Sequence, residues 1–408
     1  MFDLTSEVSP GPYRKRFGDY GQSGTSLPPR SAAKIGKFSV RCMPVPDTDA
    51  ANPNLDAFRS ISPVVEQSAA FANVLSEYDP RSTIICLEVS DSKGKKHGHC
   101  FLKIGKVRLV EHFTGRRLTI AAMNLATIIG GSPSFRPDPC AIDAIVEFLQ
   151  KDFPNLDGIN VPALEQDGEH RHQFDMSPAL QAGFAPYYEK RGAAWHEFQV
   201  PELYDSYLRA LSKKRRYNLG RQKKLLWEAF DGQVDFIPVS TCDQFELLEE
   251  AFASLMPARG AESAKAYYRA CASNGLLKCF ILRANGKAVA LATGVAYSGE
   301  LLIHRMHFAH QIQHLSPGTC LWQLILQYAC AEKYARIILG FGEAKQASTS
   351  ENTIRSADSI IYIKSSPRSM VKVLPHFLFG CARSALKQLS SALRASNLNA
   401  NGARSKAA

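Results

Sequence analysis

The sequence predicts an α/β (α+β) chain of two lobes, each a mixed, mostly antiparallel sheet flanked by helices. Two observations lead there. The order helix, antiparallel strands, helix, strand occurs twice along the chain without obvious residue identity between the copies. The length, 408 residues, suits two or three domains. Hydrophobic residues at 45% and charged residues at 21% exclude a wholly disordered chain, a collagen and a coiled-coil rod. Apolar runs such as Ile120–Ile129 fall short of the roughly 20 residues a helix needs to cross a bilayer. The N-terminus has no basic region leading into an apolar core, so no secretory signal is expected.

Residues 1–60 carry Pro10, Pro12, Pro28, Pro29, Pro44, Pro46 and Pro53 without a helical or strand period, and read as a leader with a strand-like piece at Lys37–Met43. A first lobe, 61–200, then follows. Its expected elements are a helix over Val64–Glu77, strands at Thr83–Val89, His99–Ile104 and Lys106–His112, an amphipathic helix over Ala141–Asp152, and strands at Gly158–Val161 and Trp195–Val200. The second lobe, 201–366, opens with helices at Tyr204–Leu211 and Lys213–Ala229, the latter strongly basic. A strand at Val234–Pro238 and helices at Asp243–Met256 and Glu262–Ser273 come next. Asn285-Gly286 between two apolar runs predicts a hairpin with a type I′ turn. A strand at Glu300–Phe308, a helix at Gly318–Tyr334 and strands at Arg336–Leu339 and Asp358–Lys364 complete the lobe.

Residues 367–408 form a basic, amphipathic tail. No Asp or Glu follows Asp358, whereas eight Lys and Arg do, so much of the net charge of +11 belongs to the C-terminus rather than to a uniformly basic surface. That argues against a dedicated nucleic-acid binder. The apolar positions Val371, Leu374, Phe377, Leu378, Leu386, Leu389 and Leu393 allow the tail either to dock on the protein or to lie on an anionic membrane. The ten cysteines include no C-x-x-C pair and read as reduced core thiols of a cytoplasmic protein, peripheral at the inner membrane if the tail binds lipid.

The chemistry concentrates between Leu276 and Lys345. There the loop Leu315-Ser316-Pro317-Gly318-Thr319 opens a helix, whose first-turn N–H groups and dipole attract anions such as phosphate. His304, Arg305, His307, His310 and His314 crowd the strand before it, with His304 expected on the face opposite Arg305 and His307. No carboxylate joins these histidines at ligand spacing, so no metal is expected. Glu343 and Lys345 follow the end of a later strand, where a base or an anion-orienting group can act.

The order hairpin, strand, Ser-Pro-Gly-Thr loop, helix, strand and Gly342-Glu343 resembles the GNAT acyltransferases. It is most similar to the cellulose-biosynthesis (CelD/BcsL-type) acetyltransferases, related to FemAB and FemX. The helix Leu208-Arg209-Ala210-Leu211-Ser212-Lys213-Lys214-Arg215-Arg216-Tyr217-Asn218-Leu219 extends the resemblance, which spans roughly Ile61 to Lys364. It implies tandem GNAT-like lobes. It also implies acetyl-CoA or another acyl-CoA held at Leu315, Ser316, Pro317, Gly318 and Thr319, with pantetheine along Leu301–Phe308. The acceptor would be an amine or hydroxyl on a sugar or polymer precursor, with Glu343, His307, His304 and Lys345 as candidates for the catalytic groups. The family's Asp before the loop corresponds to the region of Ala309, its Asp in the next strand to Ile338 or Leu339, and its Tyr-Lys pair retains only Lys345. Two alternatives remain at this point: a FemX-like transferase using aminoacyl-tRNA, and a degenerate binding or scaffold protein of the same fold.

Overall fold

The computed structural model describes residues 32–35, 38–43, 45, 64–113, 116–135, 138–341, 352–375 and 378. Strands β1 (Ala32–Ile35) and β2 (Phe38–Met43) form a hairpin. A short 3-10 turn at Val64–Gln67 precedes helix α1 (Ala69–Tyr78). The expected helix over Val64–Glu77 is broken because the Ser68 hydroxyl caps α1, accepting from the Phe71 amide at 3.1 Å. A long meander follows: β3 (Thr83–Asp91), β4 (Lys96–Phe113) and β5 (Arg116–Ile128). The two strands expected at 99–104 and 106–112 are one, since Gly105 keeps its register opposite Leu125 and nothing there turns the chain.

β6 (Ser134–Phe135), α2 (Pro139–Asp152), β7 (Gly158–Glu165), α3 (Glu169–Met176), α4 (Pro178–Gly183) and β8 (Phe184–Gln199) come next. Only the last third of β8 was legible, because its first part is held by pairing along one edge and carries no buried stripe. The second cycle comprises α5 (Tyr204–Ala210), α6 (Lys213–Ala229), β9 (Val234–Val239), α7 (Phe245–Leu255), α8 (Ala258–Ser273), β10 (Cys279–Ala284), β11 (Lys287–Tyr297), β12 (Glu300–Phe308), α9 (Pro317–Ala331), β13 (Arg336–Phe341) and β14 (Asn352–Lys364). Asn285 and Gly286 adopt φ of 49° and 74°, the left-handed pair a type I′ turn requires. Helix α10 covers 367–375.

All 14 strands join one sheet, in the order β1-β2-β3-β4-β5-β7-β14-β8-β13-β12-β11-β10-β9, with β6 paired to β4. Only β5 with β7 and β12 with β13 are parallel; the other pairs are antiparallel. The centre is made by β14, which returns from the end of the second cycle to lie between β7 and β8. The boundary expected near residue 200 falls just after β8, and β8 itself pairs on both edges with strands of the second cycle, β13 and β14.

Helices cover both faces. On one face α1, α7 and α8 share a single core with the sheet, including Phe71, Leu75, Leu248, Phe252, Tyr268 and Cys271. On the other, α2, α3 and α4 cover the first half through Phe148, Phe174 and Leu180. There α5, α6 and α9 cover the second half through Tyr207, Leu226 and Leu321.

Side chains of alternating charge cross the middle of the sheet. Arg355 on β14 lies 2.9 Å from Glu165 on β7 and 2.7 Å from Glu197 on β8. Arg336 on β13 lies 2.9 Å from Glu197 and 2.7 Å from Glu300 on β12. Five adjacent strands are thus tied by four ion pairs, with Glu197, fully buried, at the centre. Buried charges persist only when paired in this way.

Candidate functional site

A parallel pair that parts leaves a cleft. β12 and β13 pair only from Glu300–Leu302 to Arg336–Ile338, and their later residues diverge. Both strands carry a bulge where they separate: His304 is the extra residue in β12 against β11, and Leu339 in β13 against β8. A bulge re-aims the residues beyond it. Gly340, at φ 69°, completes the turn of β13, and a Cβ there would sit 3.7 Å from the Trp195 ring.

The loop Leu315–Thr319 leads from the 3-10 segment after β12 into α9 and is flanked by α6. Ser316 adopts the left-handed conformation (φ 55°, ψ 47°), and Pro317 starts α9 with no side-chain cap. The Thr319 and Cys320 amides point to the Ser316 carbonyl at 3.0 and 3.1 Å, so Gly318 carries the first-turn amide not directed there. Pro317 and Gly318 are buried, whereas Leu315, Ser316 and Thr319 are half-buried. The basic helix α6 flanks the loop: Gln222 donates to the Ser316 hydroxyl at 3.3 Å, and Lys223 acts electrostatically on Cys320. Burial still pushes the Cys320 thiol up to about 11, so it stays neutral and unreactive near neutral pH. The basic run is not uniformly free for a ligand, because Arg216 donates to the Leu208, Arg209 and Leu211 carbonyls at the end of α5.

The histidines need one correction. His304 and His307 do not lie on opposite faces. His307 is opposite Leu291 and Arg305 opposite Thr293, on the same face as Leu302 and Val295. Because of its bulge, His304 also points to this face, where its Nδ1 is 2.8 Å from the Tyr268 hydroxyl and its ring packs on Tyr267 and Tyr268 of α8. Burial lowers the His304 imidazole to about 4, leaving it neutral across the physiological range. Tyr267 is raised well above its ordinary value, mainly by burial and with a contribution from Glu66. Nothing in the sequence linked Tyr268 to His304; the two are 36 positions apart and meet only through the packing of α8. His310 and His314 lie in the 3-10 segment His310–Leu315, away from this contact. Among the described residues no three His, Cys, Asp or Glu side chains converge as metal ligands. Glu343 and Lys345 lie outside the described residues.

The first lobe has the same parallel pair without the opening. β5 pairs with β7 over Leu125–Thr127 and Gly158–Asn160, and the chain then fills the gap. Gly131 abuts β7 so closely that a Cβ would meet the Ala163 carbonyl at 2.0 Å. The helix that follows, α2, is capped by the Asp138 carboxylate, which accepts from the Cys140 amide at 2.8 Å. A capping carboxylate occupies the position an anion would take. Of α2 and α9, the helices that open the crossovers from β5 to β7 and from β12 to β13, α9 begins without a side-chain cap and α2 with one.

Residues 213–345 match the family model described as the acetyltransferase (GNAT) domain. Among solved structures the chain is similar to FemX, with 9% identity over 81% of this chain and 99% of that one and a TM-score of 0.56. It is also similar to L-PGS from Bacillus licheniformis (14% identity, 80% and 96% covered, TM-score 0.43). A tandem GNAT protein from the clavulanic acid biosynthesis pathway matches with 9% identity, 81% and 99% covered, and a TM-score of 0.44. At such identities the likeness to FemX is one of fold. A search of curated proteins finds no match.

Proposed function

We propose that the chain transfers an acyl group from a CoA thioester to an amine or hydroxyl acceptor in the cleft between β12 and β13. The observation that carries this reading is an asymmetry among the described residues: in the second lobe the parallel strands part and the crossover helix starts uncapped, whereas in the first Gly131 packs against β7 and Asp138 caps the helix. Donor phosphates sit at Ser316–Thr319 beside Lys223, with pantetheine along the open edge of β12 beyond Leu302. The acceptor enters from the α8 face, where His304 stands at the bulge with Tyr268 behind it. Attack on the thioester is direct: the acceptor forms the new bond, CoA leaves as its thiolate, and the acceptor's proton passes to a base. Open amides on the β12 edge polarise the carbonyl. His304, His307 and Glu343 are the candidate bases, and Lys345 a candidate for orienting an anionic group. A sugar or polymer precursor of the cell envelope, and a cytoplasmic reaction, rest on the resemblance to the CelD/BcsL-type branch.

Thermal unfolding with acetyl-CoA tests the donor site. A ligand specific to the folded state raises the melting temperature, by about 2.7 kcal/mol of stability at a hundredfold excess over Kd. Gly318→Asp puts a carboxylate at the helix start and should abolish the shift. Thr319→Glu, at a half-buried position, serves the same end if Gly318→Asp lowers stability by itself. Equal shifts in wild type and variants would refute the assignment, and stabilisation by tRNA but not by acetyl-CoA would favour the aminoacyl-tRNA donor.

A further inference from the structure

We propose that the outer face of α10 is a contact for an anionic membrane surface. The helix is fastened to the protein by its inner side. Lys372 Nζ lies 2.7 Å from both carboxylate oxygens of Asp157, and the Ser369 hydroxyl donates to one of them at 3.3 Å. Val373 is buried against Val107, Leu109, Met123 and Ile363. The outer side is apolar and uncovered: Met370, Val371, Leu374 and Leu378 are 44, 67, 49 and 57% exposed. Positions 370, 371 and 374 follow helical spacing within α10, so they share one face, and Leu378 is exposed just beyond it. The other exposed large hydrophobics among the described residues, such as Met176, Leu203 and Tyr217, are scattered. Exposed apolar side chains placed singly are ordinary, whereas a clustered stripe marks an interaction surface.

Charge selects the occupant. Arg368 is exposed beside the stripe, and Lys364 stands at the end of β14 just before the helix. Five more Lys and Arg follow residue 378, with no Asp or Glu after Asp358. A second copy of the chain, or the chain's own C-terminal residues, would bring cations against cations. One face of a short helix is also far smaller than the roughly 800 Å² per partner of a stable protein interface. A bilayer needs no such area. A few immersed apolar side chains and several cations at the headgroups suffice, each cation near an anionic surface contributing about 1 kcal/mol. No helix among the described residues is long and apolar enough to cross a membrane, so the contact would be peripheral.

Co-sedimentation of the full chain with lipid vesicles tests this without reference to acyl transfer. Vesicles of phosphatidylcholine alone are compared with vesicles containing about 30% phosphatidylglycerol at low salt. The wild type should pellet with the anionic vesicles only. Val371→Asp/Leu374→Asp should weaken partitioning at least about tenfold. Met370→Gln/Leu378→Gln should act in the same direction and covers the case in which the first variant folds poorly. A wild type left in the supernatant, or variants that fold and bind as tightly as it does, would overturn the proposal. So would a wild-type dimer in light scattering that the variants convert to monomer.

Discussion

His304 should make the fold acid-sensitive in a way one substitution removes. The imidazole packs against Tyr267 and Tyr268, accepting or donating one hydrogen bond at Tyr268, and burial lowers it to about 4. The unfolded chain should titrate this histidine near 6.5, and each unit of difference is worth about 1.4 kcal/mol, so the gap amounts to at most about 3.5 kcal/mol. The sign follows from which state binds the proton. Between about 6.5 and 4 the unfolded chain is protonated and the folded chain is not, so stability is full above pH 6.5 and falls as the pH drops towards 4. Urea unfolding of wild type and His304→Gln at pH 7, 6, 5 and 4.5 measures the effect. His170, also lowered by burial, contributes the same slope to both proteins and cancels in the comparison. The variant should lose up to about one proton of pH dependence in this window. Identical pH dependence in the two proteins would refute the burial argument. If His304 is also the base, the acid limb of kcat/KM should lie nearer pH 4 than 6.5.

Three further outcomes follow from the same geometry. Glu197→Gln removes the carboxylate shared by Arg336 and Arg355. Breaking a buried pair costs about 3–5 kcal/mol, and since each arginine keeps a second carboxylate we expect about 2–4 kcal/mol less stability in denaturant titration. Asp138→Ala should cost about 1 kcal/mol as a lost helix cap yet create no second CoA site, because Gly131 still fills the first lobe's gap; calorimetry finding two acetyl-CoA per chain would contradict this. Glu343→Gln, His307→Gln and Tyr268→Phe separate the chemistry. Loss of the base should lower kcat by about 10²–10⁴ with donor affinity kept, while Tyr268→Phe should reduce kcat less and only if His304 carries the step.

Much of the local structure was determined by residues near in sequence. Asn285-Gly286 can hold the two left-handed conformations of a tight hairpin, Pro317 and Gly318 begin a helix, and the apolar stripe of α7 follows from its spacing. These depend on backbone sterics and on periodicity, which a one-dimensional reading captures. The break at Ser68 was written locally as well, though the hydroxyl that makes it looks like any other serine.

Only the tertiary structure decided how these pieces meet. The face of His304 could not follow from alternation, because the bulge is set by how β12 must leave β13 while staying paired to β11. Tyr268 reaches His304 through the packing of α8 on that face. The pairing of Glu165, Arg355, Glu197, Arg336 and Glu300 requires β14 to enter the sheet between β7 and β8. That insertion turns two similar cycles into one sheet. Which of the two parallel pairs is closed beyond its last paired residues likewise depended on close approach, Gly131 against Ala163 in the first lobe, while β12 and β13 part in the second. Such contacts join residues far apart in sequence, so their energies leave no periodic trace along the chain.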